Sequence, residues 1–419
     1  MRVSARVAVA LCAIAVLAGL AVFGSKWYHT KRVEQSDKAA ASRFETNVTS
    51  AADRGPGSLR EALFVAAGAR TKATIEIHVP SITLETALPP VVNPNGISIV
   101  APQSGTVIDA RALQNEPVFD VAGANTSIVG LTIRNCSGAA VLLRASQFRM
   151  ASSAIESCDV GVDVAENAND LSLTHNRFTA NRVGVRFAAS SRNASVVSNA
   201  FNGHKDAGLW AVRSSPDLRN AAIDVRDNKF SDDRLGVIAG NVSLQLDHNE
   251  ILGAHEAAIH IIGTGVVARR NRVSGGAAMG IIAENAKGVT IESNELDHVT
   301  AYAVMVRGSS NTLVRDNRIH NCGYGLAFVL GDTGNPSTAD ENSIIEPRFN
   351  GIDVIGDSPI LRRNRVLNPR ALALHVQDFK PPGGPAVRSN PFLQNNDFGR
   401  DKARIAFDGP SRGAARERQ

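Results

Sequence analysis

The chain has few aromatic residues and few cysteines. Only 5% of its 419 residues are aromatic, and it has 4 Cys and 2 Trp. The cysteines lack the spacing of a metal site, and no clear acidic cluster for calcium is present, so we expect no cofactor, with calcium the open alternative. With 35 Gly, this composition suits narrow β coils filled by small aliphatic side chains.

The chain also lacks a broad basic surface. Its formal net charge is +5, but residues 1–32 carry +5 and residues 400–419 carry +3, which leaves −3 for the body. Nucleic-acid binding usually needs a wide basic field, so the sequence predicts no nucleic-acid partner. The Gly- and Arg-rich segment 400–419 is typical of a disordered tail.

One long apolar run lies near the N-terminus. It extends over 18 residues from Val7 to Gly24 and follows Arg2 and Arg6. The run is either a secretory signal or a membrane anchor. Its length favours an uncleaved anchor within residues 1–32, with the body outside the cytoplasm (periplasmic); cleavage would make the protein secreted. Residues 33–53 are polar and are interpreted as a linker.

An asparagine recurs two residues before an apolar side chain. From Asn228 to Asn317 its spacing is 21, 22, 23 and 23 residues. A period near 22 without helical periodicity predicts an all-β solenoid of stacked coils over residues 54–399. In segment 344–349, Pro347 takes the place of the asparagine. The recurring residues are Asn176, Asn199, Asn228, Asn249, Asn271, Asn294, Asn317, Asn364 and Asn396.

The residue after each of these asparagines should face water. Over five successive coils the sign of its charge alternates, which is favourable for side chains stacked one coil apart. We interpret this row as a solvated structural face. Its members are Lys229, Glu250, Arg272, Glu295 and Arg318.

Two further features bear on stability. Ser58 and Glu61 form a capping box before a short amphipathic helix, which should cover the open end of the first coil.

Cys136 and Cys158 share one repeat position on adjacent coils, whereas Cys322 lies far from both. A disulfide and two stacked apolar thiols are both consistent with this position.

Three segments carry a family resemblance. Gly57-Ser-Leu-Arg-Glu-Ala-Leu63, Ile128-Val-Gly-Leu-Thr-Ile-Arg-Asn-Cys136 and Val185-Arg-Phe187 resemble right-handed parallel β-helix proteins of the pectate-lyase-like superfold. The resemblance covers roughly residues 55–400 and implies that fold. The superfold hosts polysaccharide lyases, hydrolases, uronan epimerases and binding proteins. Their active-site patterns are missing here; Leu296-Asp-His298, for example, lacks the proline of the epimerase Asp-Pro-His. No catalytic residue is therefore carried over.

Candidate site residues come from the strand after each glycine-containing bend, because alternate side chains of a strand face outward. Glu284, Arg307 and His375 are candidates for a second outward position. Long turns at 213–220 and 331–342 bracket part of this face, and a third lies at 377–390. The predicted outward residues are Asp163, Arg186, Trp210, Ile238, His260, Ile282, Met305, Ala327 and Asp353.

These residues suggest proton abstraction next to the carboxylate of a uronate, which needs a base, a cation and an acid. His260 or His255 is the candidate base, Arg307 the cation and His298 the acid. Glu284 would orient an imidazole and contact substrate. The simpler interpretation of each histidine is a solvated or turn residue.

Aromatic side chains have two interpretations as well. Trp210, beside Arg186, either stacks on a sugar ring as a substrate-binding residue or is buried. Tyr302 and Tyr324 share one apolar repeat position, which favours a buried aromatic stack over catalytic acids.

The sequence therefore predicts a polysaccharide partner and leaves two functions open. One is a lyase or C5-epimerase acting on an exported polysaccharide. The other is a non-catalytic, membrane-anchored β-helix that binds a glycan or scaffolds an envelope assembly. The oligomeric state and the polymer are not predicted.

Overall fold

The structure, a computed structural model, describes residues 44–102, 105–166, 168–188, 191–213, 223–332, 334–399 and 404–408. The predicted anchor and most of the predicted tail lie outside these residues. The described part contains one helix, α1, at Leu59–Ala67. Within that part, no helix has the length and apolarity needed to cross a membrane.

The strands form three parallel sheets. Sheet A contains 15 strands: β1 (Phe44–Val48), β2 (Ala73–Ile77), β4 (Ile97–Val100), β7 (Ser127–Val129), β10 (Arg149–Ala151), β13 (Ser172–Thr174), β16 (Ala194–Val197), β19 (Ile223–Arg226), β22 (Leu244–Asp247), β25 (Val266–Arg269), β28 (Thr290–Glu292), β31 (Leu313–Arg315), β34 (Thr338–Asp340), β37 (Ile360–Arg362) and β40 (Phe392–Gln394). Sheet B contains 13: β3 (Ser81–Thr83), β5 (Thr106–Asp109), β8 (Leu131–Arg134), β11 (Ala154–Glu156), β14 (Arg177–Thr179), β17 (Ala200–Asn202), β20 (Lys229–Ser231), β23 (Glu250–Leu252), β26 (Arg272–Ser274), β29 (Glu295–Asp297), β32 (Arg318–His320), β35 (Ser343–Ile345) and β38 (Arg365–Leu367). Sheet C contains 13: β6 (Phe119–Val121), β9 (Ala139–Leu143), β12 (Val160–Val164), β15 (Val183–Phe187), β18 (Ala207–Val212), β21 (Leu235–Gly240), β24 (Ala257–Thr264), β27 (Met279–Lys287), β30 (Tyr302–Arg307), β33 (Tyr324–Val329), β36 (Ile352–Ile355), β39 (Leu374–Gln377) and β41 (Ile405–Asp408).

Each regular turn of the chain adds one strand to each sheet. The β10, β11 and β12 strands pair with β13, β14 and β15, one turn later, all in parallel. Inward side chains consequently stack on themselves, as in Phe178, Phe201 and Phe230, whose ring centroids are 4.9 and 4.6 Å apart. The predicted parallel β-helix is confirmed.

The solenoid reaches further than the predicted boundaries at both ends. The strand β1 falls in the segment interpreted as linker, yet all of its residues pair with β2. The strand β41 falls in the segment interpreted as tail and pairs with β39. These ends are ordered by the edge of the neighbouring strand, which offers free backbone groups to any extended segment.

The capping helix has its predicted role. The Ser58 side chain accepts a hydrogen bond from the Glu61 amide at 3.2 Å, and the Glu61 carboxylate accepts one from the Gly57 amide at 2.6 Å. One face of α1, with Leu59, Leu63 and their neighbours, is buried over the first coil. The helix thus closes the apolar end of the solenoid.

The recurring asparagines form a buried ladder at the corner between sheets A and B. Asn271 is typical: its Oδ1 accepts from the Asn249 backbone amide at 3.0 Å. Its Nδ2 donates to the Leu246 carbonyl and to Asn294 Oδ1, both at 3.0 Å. Each side chain therefore satisfies backbone groups that the tight corner would leave unpaired.

One position of the ladder differs from the prediction. Asn342 takes the place assigned to Pro347: it donates to the Val314 carbonyl at 2.8 Å and accepts from Asn317. It follows Asn317 by 25 residues because the preceding turn is long. This spacing is longer than the period of the other members, so the sequence pattern did not identify Asn342. Pro347 lies at the next corner, after β35.

A left-handed residue precedes each ladder asparagine. The backbone φ angle of these residues lies near +50°, a conformation that turns the chain sharply and places the next side chain inside the coil. They are His175, Ser198, Asp227, His248, Arg270, Ser293, Asp316, Glu341, Arg363 and Asn395.

The alternating charged row also has the predicted register. Lys229, Glu250, Arg272, Glu295 and Arg318 are successive partners in sheet B. The Lys229 ammonium lies 3.5 Å from the Glu250 carboxylate.

A second internal row lies at the corner between sheets B and C. Cys136 and Cys158 are joined by a disulfide there, with Cα atoms 4.2 Å apart. On the next turns, Asn181 accepts from the Cys158 amide at 2.8 Å, and His204 Nδ1 lies 2.6 Å from Asp233 Oδ1. His204 and Asp233 are buried. Inward side chains thus also pair between turns at this second corner.

Replacing Asn271 by Ala should destabilise the protein by about 2–5 kcal/mol, because it leaves buried backbone groups on neighbouring turns without partners. Chemical denaturation of the purified protein measures the change. The matched control is Arg272→Ala on the solvated side of the same turn, which should cost less than about 1 kcal/mol. Equal effects of the two substitutions would contradict the structural role of the ladder.

Candidate functional site

The outer face of sheet C carries two straight rows of side chains, and all predicted outward residues lie in the first outer row. Their pairing is continuous from Asp163 to Asp353. His375 pairs with Asp353 and so also belongs to the first row, not to the second as predicted. The reason is that β39 begins with Leu374 opposite Ile352. The second outer row includes Ile262, Glu284 and Arg307, as predicted for the last two.

Three predicted site residues meet on this face. His260 Nε2 lies 3.3 Å from Glu284 Oε2, and Arg307 Nη1 lies 3.6 Å from Glu284 Oε1. They come from β24, β27 and β30, which are successive strands of sheet C. The exposed side-chain fraction rises from 16% at His260 to 33% at Glu284 and 58% at Arg307. The group thus joins a shielded imidazole to an accessible cation through one carboxylate.

An apolar patch surrounds His260. Leu235 and Ile238 are almost fully buried on the outer face, and Trp210 and Ile282 pack against them. This patch keeps water from one side of His260. Trp210 is therefore outward in register and partly buried at once, which combines its two predicted environments.

Arg186 is not a free cation. Its guanidinium donates two hydrogen bonds to the Asp163 carboxylate, at 2.9 and 2.6 Å. These bonds raise the pKa of Arg186. The pair is positioned next to Trp210 in the first outer row, as predicted, but its charge is largely compensated.

Two predicted histidines stay apart from the group. His255 is exposed in the turn before β24, where its backbone amide donates to the Asp233 carbonyl. His298 follows β29 in sheet B and lines a cavity of about 480 Å³ with Arg348. Its Nδ1 lies 2.9 Å from Asp297 Oδ2. The described residues show no hydrogen bond or ion pair from either histidine to His260 or Arg307.

The predicted walls are only partly described. Of the turn at 213–220, residues 214–220 lie outside the described residues. The other two long turns meet at Asp357: the Gly331 amide donates to its carboxylate, and its own amide donates to Ser389 Oγ. These turns consequently pack on each other near the C-terminal end of the solenoid. Burial raises the pKa of Asp357 to about 6.

An aromatic row lies beside sheet C. The rings of Tyr302, Tyr324 and Phe349 stack at centroid distances of 4.5 and 4.8 Å. The predicted stack of the two tyrosines is present but only partly buried, and burial raises the pKa of Tyr302 to about 12. Phe349 is 49% exposed. The sequence did not predict that Phe349 belongs to this row, because the long turn at 331–342 shifts the spacing of the residues after it.

A second acid–imidazole group was also missed. Asp353 is buried, and this burial raises its pKa. Its Oδ1 lies 3.3 Å from His375 Nδ1, and His375 Nε2 lies 3.0 Å from Asp408 Oδ2. The register of Asp353 and His375 was a usable signal, whereas Asp408 belongs to the segment interpreted as tail. In the described residues, no three His, Cys, Asp or Glu side chains are grouped to hold a metal ion.

Comparison with known families agrees with this architecture. A family model described as the right-handed β-helix region matches residues 91–223 and 217–367. The chain belongs to the right-handed β-helix family. A search of curated proteins finds no match.

Solved structures of other β-helix proteins resemble this chain. One is the catalytic unit of the GH87 α-1,3-glucanase from Streptomyces thermodiastaticus strain HF3-3, with 14% identity, a TM-score of 0.55 and coverage of 86% of this chain and 68% of that chain. Another is the periplasmic alginate epimerase AlgG, with 12% identity, a TM-score of 0.46 and coverage of 88% and 81%. At these identities the likeness concerns the fold alone.

The raised pKa of Asp357 makes the stability of this β-helix depend on pH. The folded state holds the proton more tightly than the unfolded state, so stability is lost as the pH rises from about 4 to about 6. Replacement by Asn removes this loss. The free energy of unfolding of Asp357→Asn should therefore rise, relative to that of wild type, by up to about 3 kcal/mol between pH 4 and pH 6. Denaturation midpoints of the two proteins at several pH values measure the difference.

The control for this series is Asp332→Asn in the neighbouring turn. Hydrogen bonds from Asn335 and from backbone amides lower the pKa of Asp332, so its replacement should cost stability as the pH rises. A constant difference between wild type and Asp357→Asn at all pH values would contradict the burial of a protonated carboxyl group.

Proposed function

We propose that the protein binds a polysaccharide along the outer face of sheet C and that His260, Glu284 and Arg307 form the reacting centre of a lyase or C5-epimerase. The observation that carries this proposal is the contact chain through Glu284, with 3.3 Å to the imidazole and 3.6 Å to the guanidinium. The α-1,3-glucanase of similar fold acts on a polysaccharide, which agrees with the substrate class. The reaction class rests on the residues alone.

The imidazole of His260 is suited to proton abstraction. Its carboxylate partner Glu284 orients the ring and stabilises the imidazolium that forms when the ring accepts a proton. The apolar patch around Leu235 and Ile238 lowers the local dielectric and strengthens this pairing. His260 is therefore the base for the proton on C5 of a uronate.

Arg307 supplies the cation. A guanidinium has five N–H donors, and only one of its terminal nitrogens faces Glu284, so the others can bind the uronate carboxylate. Negative charge moves onto that carboxylate as C5 loses its proton. Arg307 stabilises this charge in the transition state.

Elimination and epimerisation share the loss of the C5 proton and differ in the step after it. In elimination, the C5–H electron pair forms the C4–C5 double bond, the C4–O bond breaks, and the leaving oxygen takes the proton back from the imidazolium. In epimerisation, C5 takes a proton from solvent water on the opposite face of the ring, and the imidazolium of His260 returns the first proton to the resulting hydroxide. Because His298 lies in a separate cavity, the elimination uses His260 as base and then as acid.

One observation favours the second candidate, a non-catalytic glycan-binding or envelope scaffold protein. The middle of the first outer row is apolar, and Arg186 is compensated by Asp163. Such a surface can hold sugar rings through Trp210 and aliphatic contacts without reacting with them. This candidate needs the same face but not the proton transfer.

Replacing His260 by Ala should lower the rate on a suitable acidic polysaccharide about 10²–10⁴-fold, because it removes the base. The purified protein is screened for ultraviolet absorbance of unsaturated ends, which identifies a lyase, and for exchange of the C5 proton with deuterium, which identifies an epimerase. The control is His248→Ala, an exposed histidine at the corner between sheets A and B, which should leave the rate unchanged.

An unchanged rate in His260→Ala would remove the catalytic role. Binding of a polymer without either chemical change would support the scaffold candidate. Absence of binding to all the acidic and neutral polysaccharides tested would contradict both the enzyme and the glycan-binding protein and would leave only the envelope scaffold.

The proposal includes a membrane-anchored protein with an extracytoplasmic solenoid. Support comes from the apolar run of residues 7–24 and from the Cys136–Cys158 disulfide, since disulfides persist in oxidising compartments. If the run is cleaved, the same solenoid is secreted.

Membrane fractions should retain the full chain after a high-salt wash, because about 18 apolar residues are enough to hold a helix in a bilayer. The intact mass of the washed protein should include residues 1–32. A soluble protein whose N-terminus begins after Gly24 would contradict the anchor and establish the secreted form.

A further inference from the structure

A second cavity lies away from the outer face of sheet C. It opens at the corner where the chain leaves sheet B, has a volume of about 480 Å³, and is lined by Gly275, Gly276, Asp297, His298, Thr300 and Arg348. We call it the corner pocket. A volume of this size is typical of small-molecule sites. Neither glycine brings a side chain into it.

His298 presents its imidazole to this pocket. Asp297 Oδ2 lies 2.9 Å from Nδ1, which fixes the orientation of the ring. In the described residues, Nε2 has no hydrogen-bond partner, and the side chain is 63% exposed. The other oxygen of Asp297 is buried and lies 3.5 Å from His320 Nδ1, without a hydrogen bond. The ring is thus held at one nitrogen and open to a ligand at the other.

Arg348 reaches the pocket from two turns away. Its backbone amide donates to the Cys322 carbonyl, and its Nη2 donates to the Val299 carbonyl at 3.1 Å. The side chain therefore crosses the turn of Gly323. A Cβ atom at Gly323 would lie 2.2 Å from the Thr300 carbonyl, so a side chain is excluded at that position. Glycine at this position therefore allows the backbones of the two turns to pack closely beneath Arg348.

Arg348 shares the corner pocket with the Asp297 carboxylate but is not ion-paired to it. Among the described residues, no carboxylate forms an ion pair with it, whereas Arg186 and Arg307 both have carboxylate partners. One hydrogen bond to a carbonyl leaves most of its five N–H donors available. A held guanidinium with free donors is suited to bidentate recognition of a carboxylate.

An aromatic ring comes directly after Arg348 in the chain. Phe349 stacks on Tyr324 at 4.8 Å and is 49% exposed. It ends the row of three stacked rings, so one of its faces has no ring partner in that row. Phe349 is thus one residue from Arg348 in the chain and offers an apolar ring face of the kind that stacks on sugars, whereas Arg348 offers donors for a carboxylate.

We propose that the corner pocket binds a carboxylate-bearing sugar. Its carboxylate lies between Arg348 and His298. This site is separate from the His260 group, and it does not depend on the proposed reaction. The sugar is either a free uronic acid or a unit of a polymer, and both present the same chemistry to the pocket.

The test is a titration of the full chain with glucuronic acid and with glucose, which has the same ring without the carboxylate, monitored by saturation-transfer NMR. Glucuronic acid should bind at least about tenfold more tightly, because the charge-assisted bonds to Arg348 need the carboxylate. Arg348→Gln should weaken glucuronic acid about 10–100-fold. The matched control is Arg365→Gln, an exposed arginine of sheet B, which should bind like wild type.

A second variant keeps the proposal testable if Arg348→Gln fails to fold. His298→Ala keeps Arg348 and its bond to Val299, and it should also weaken glucuronic acid while leaving the denaturation midpoint near that of wild type. Titration with glucuronic acid oligomers distinguishes a free uronic acid from a unit of a polymer as the natural ligand. If Arg348→Gln weakens the oligomers as strongly as the monomer, the pocket takes a polymer unit; if it weakens only the monomer, the pocket takes the free sugar.

No detectable binding of glucuronic acid would overturn the proposal. Equal affinities for glucuronic acid and glucose, or an Arg348→Gln variant that binds like wild type, would overturn it as well. Failure of the sheet C function looks different, because His260→Ala would then leave polymer turnover unchanged while the Arg348-dependent binding persists.

Discussion

The structure depends on one constraint, the pairing of buried backbone groups at the corner between sheets A and B. A left-handed residue makes each corner, and the following asparagine returns its side chain to the amides and carbonyls of the turns on either side. Because each asparagine pairs with the next, the ladder fixes the register of the turns. A slip of one residue would exchange inward and outward side chains, and His260 would leave the outer face. The candidate site is therefore a consequence of the ladder.

The architecture was accessible from the sequence because a solenoid repeats its constraints. The period of the asparagines and the alternating charges of Lys229 to Arg318 both report the same register, and the structure has that register. Asn342 was missed because a longer turn precedes it. The end strands β1 and β41 were missed because each is short and lies within a polar segment outside the regular repeat. Their order comes from the neighbouring strand, which a local pattern does not record.

The candidate site was predictable where it depends on strand alternation. This principle placed His260, Glu284 and Arg307 on one face, and the contacts between them result from adjacent turns. It failed at corners: His298 is itself the left-handed residue that follows β29 of sheet B, so it lies at the corner before sheet C and not on the outer face of that sheet. It also failed for long reaches, such as Arg348 to Val299 across 49 residues. Compensation of Arg186 by Asp163 depends on side-chain geometry that alternation alone does not supply.

Distances along the charged row test the central claim most directly. Three variants each carry a pair of spin-labelled cysteines in this row. The labelled positions are 229 and 272, 229 and 318, or 229 and 365, which are two, four and six turns apart in sheet B. Pulsed electron paramagnetic resonance should give separations of about 10, 19 and 29 Å between backbone positions, since each turn adds about 4.8 Å. A linear increase is the predicted result. Distances that do not grow with the number of turns would contradict the stacked ladder and, with it, the common face that carries His260.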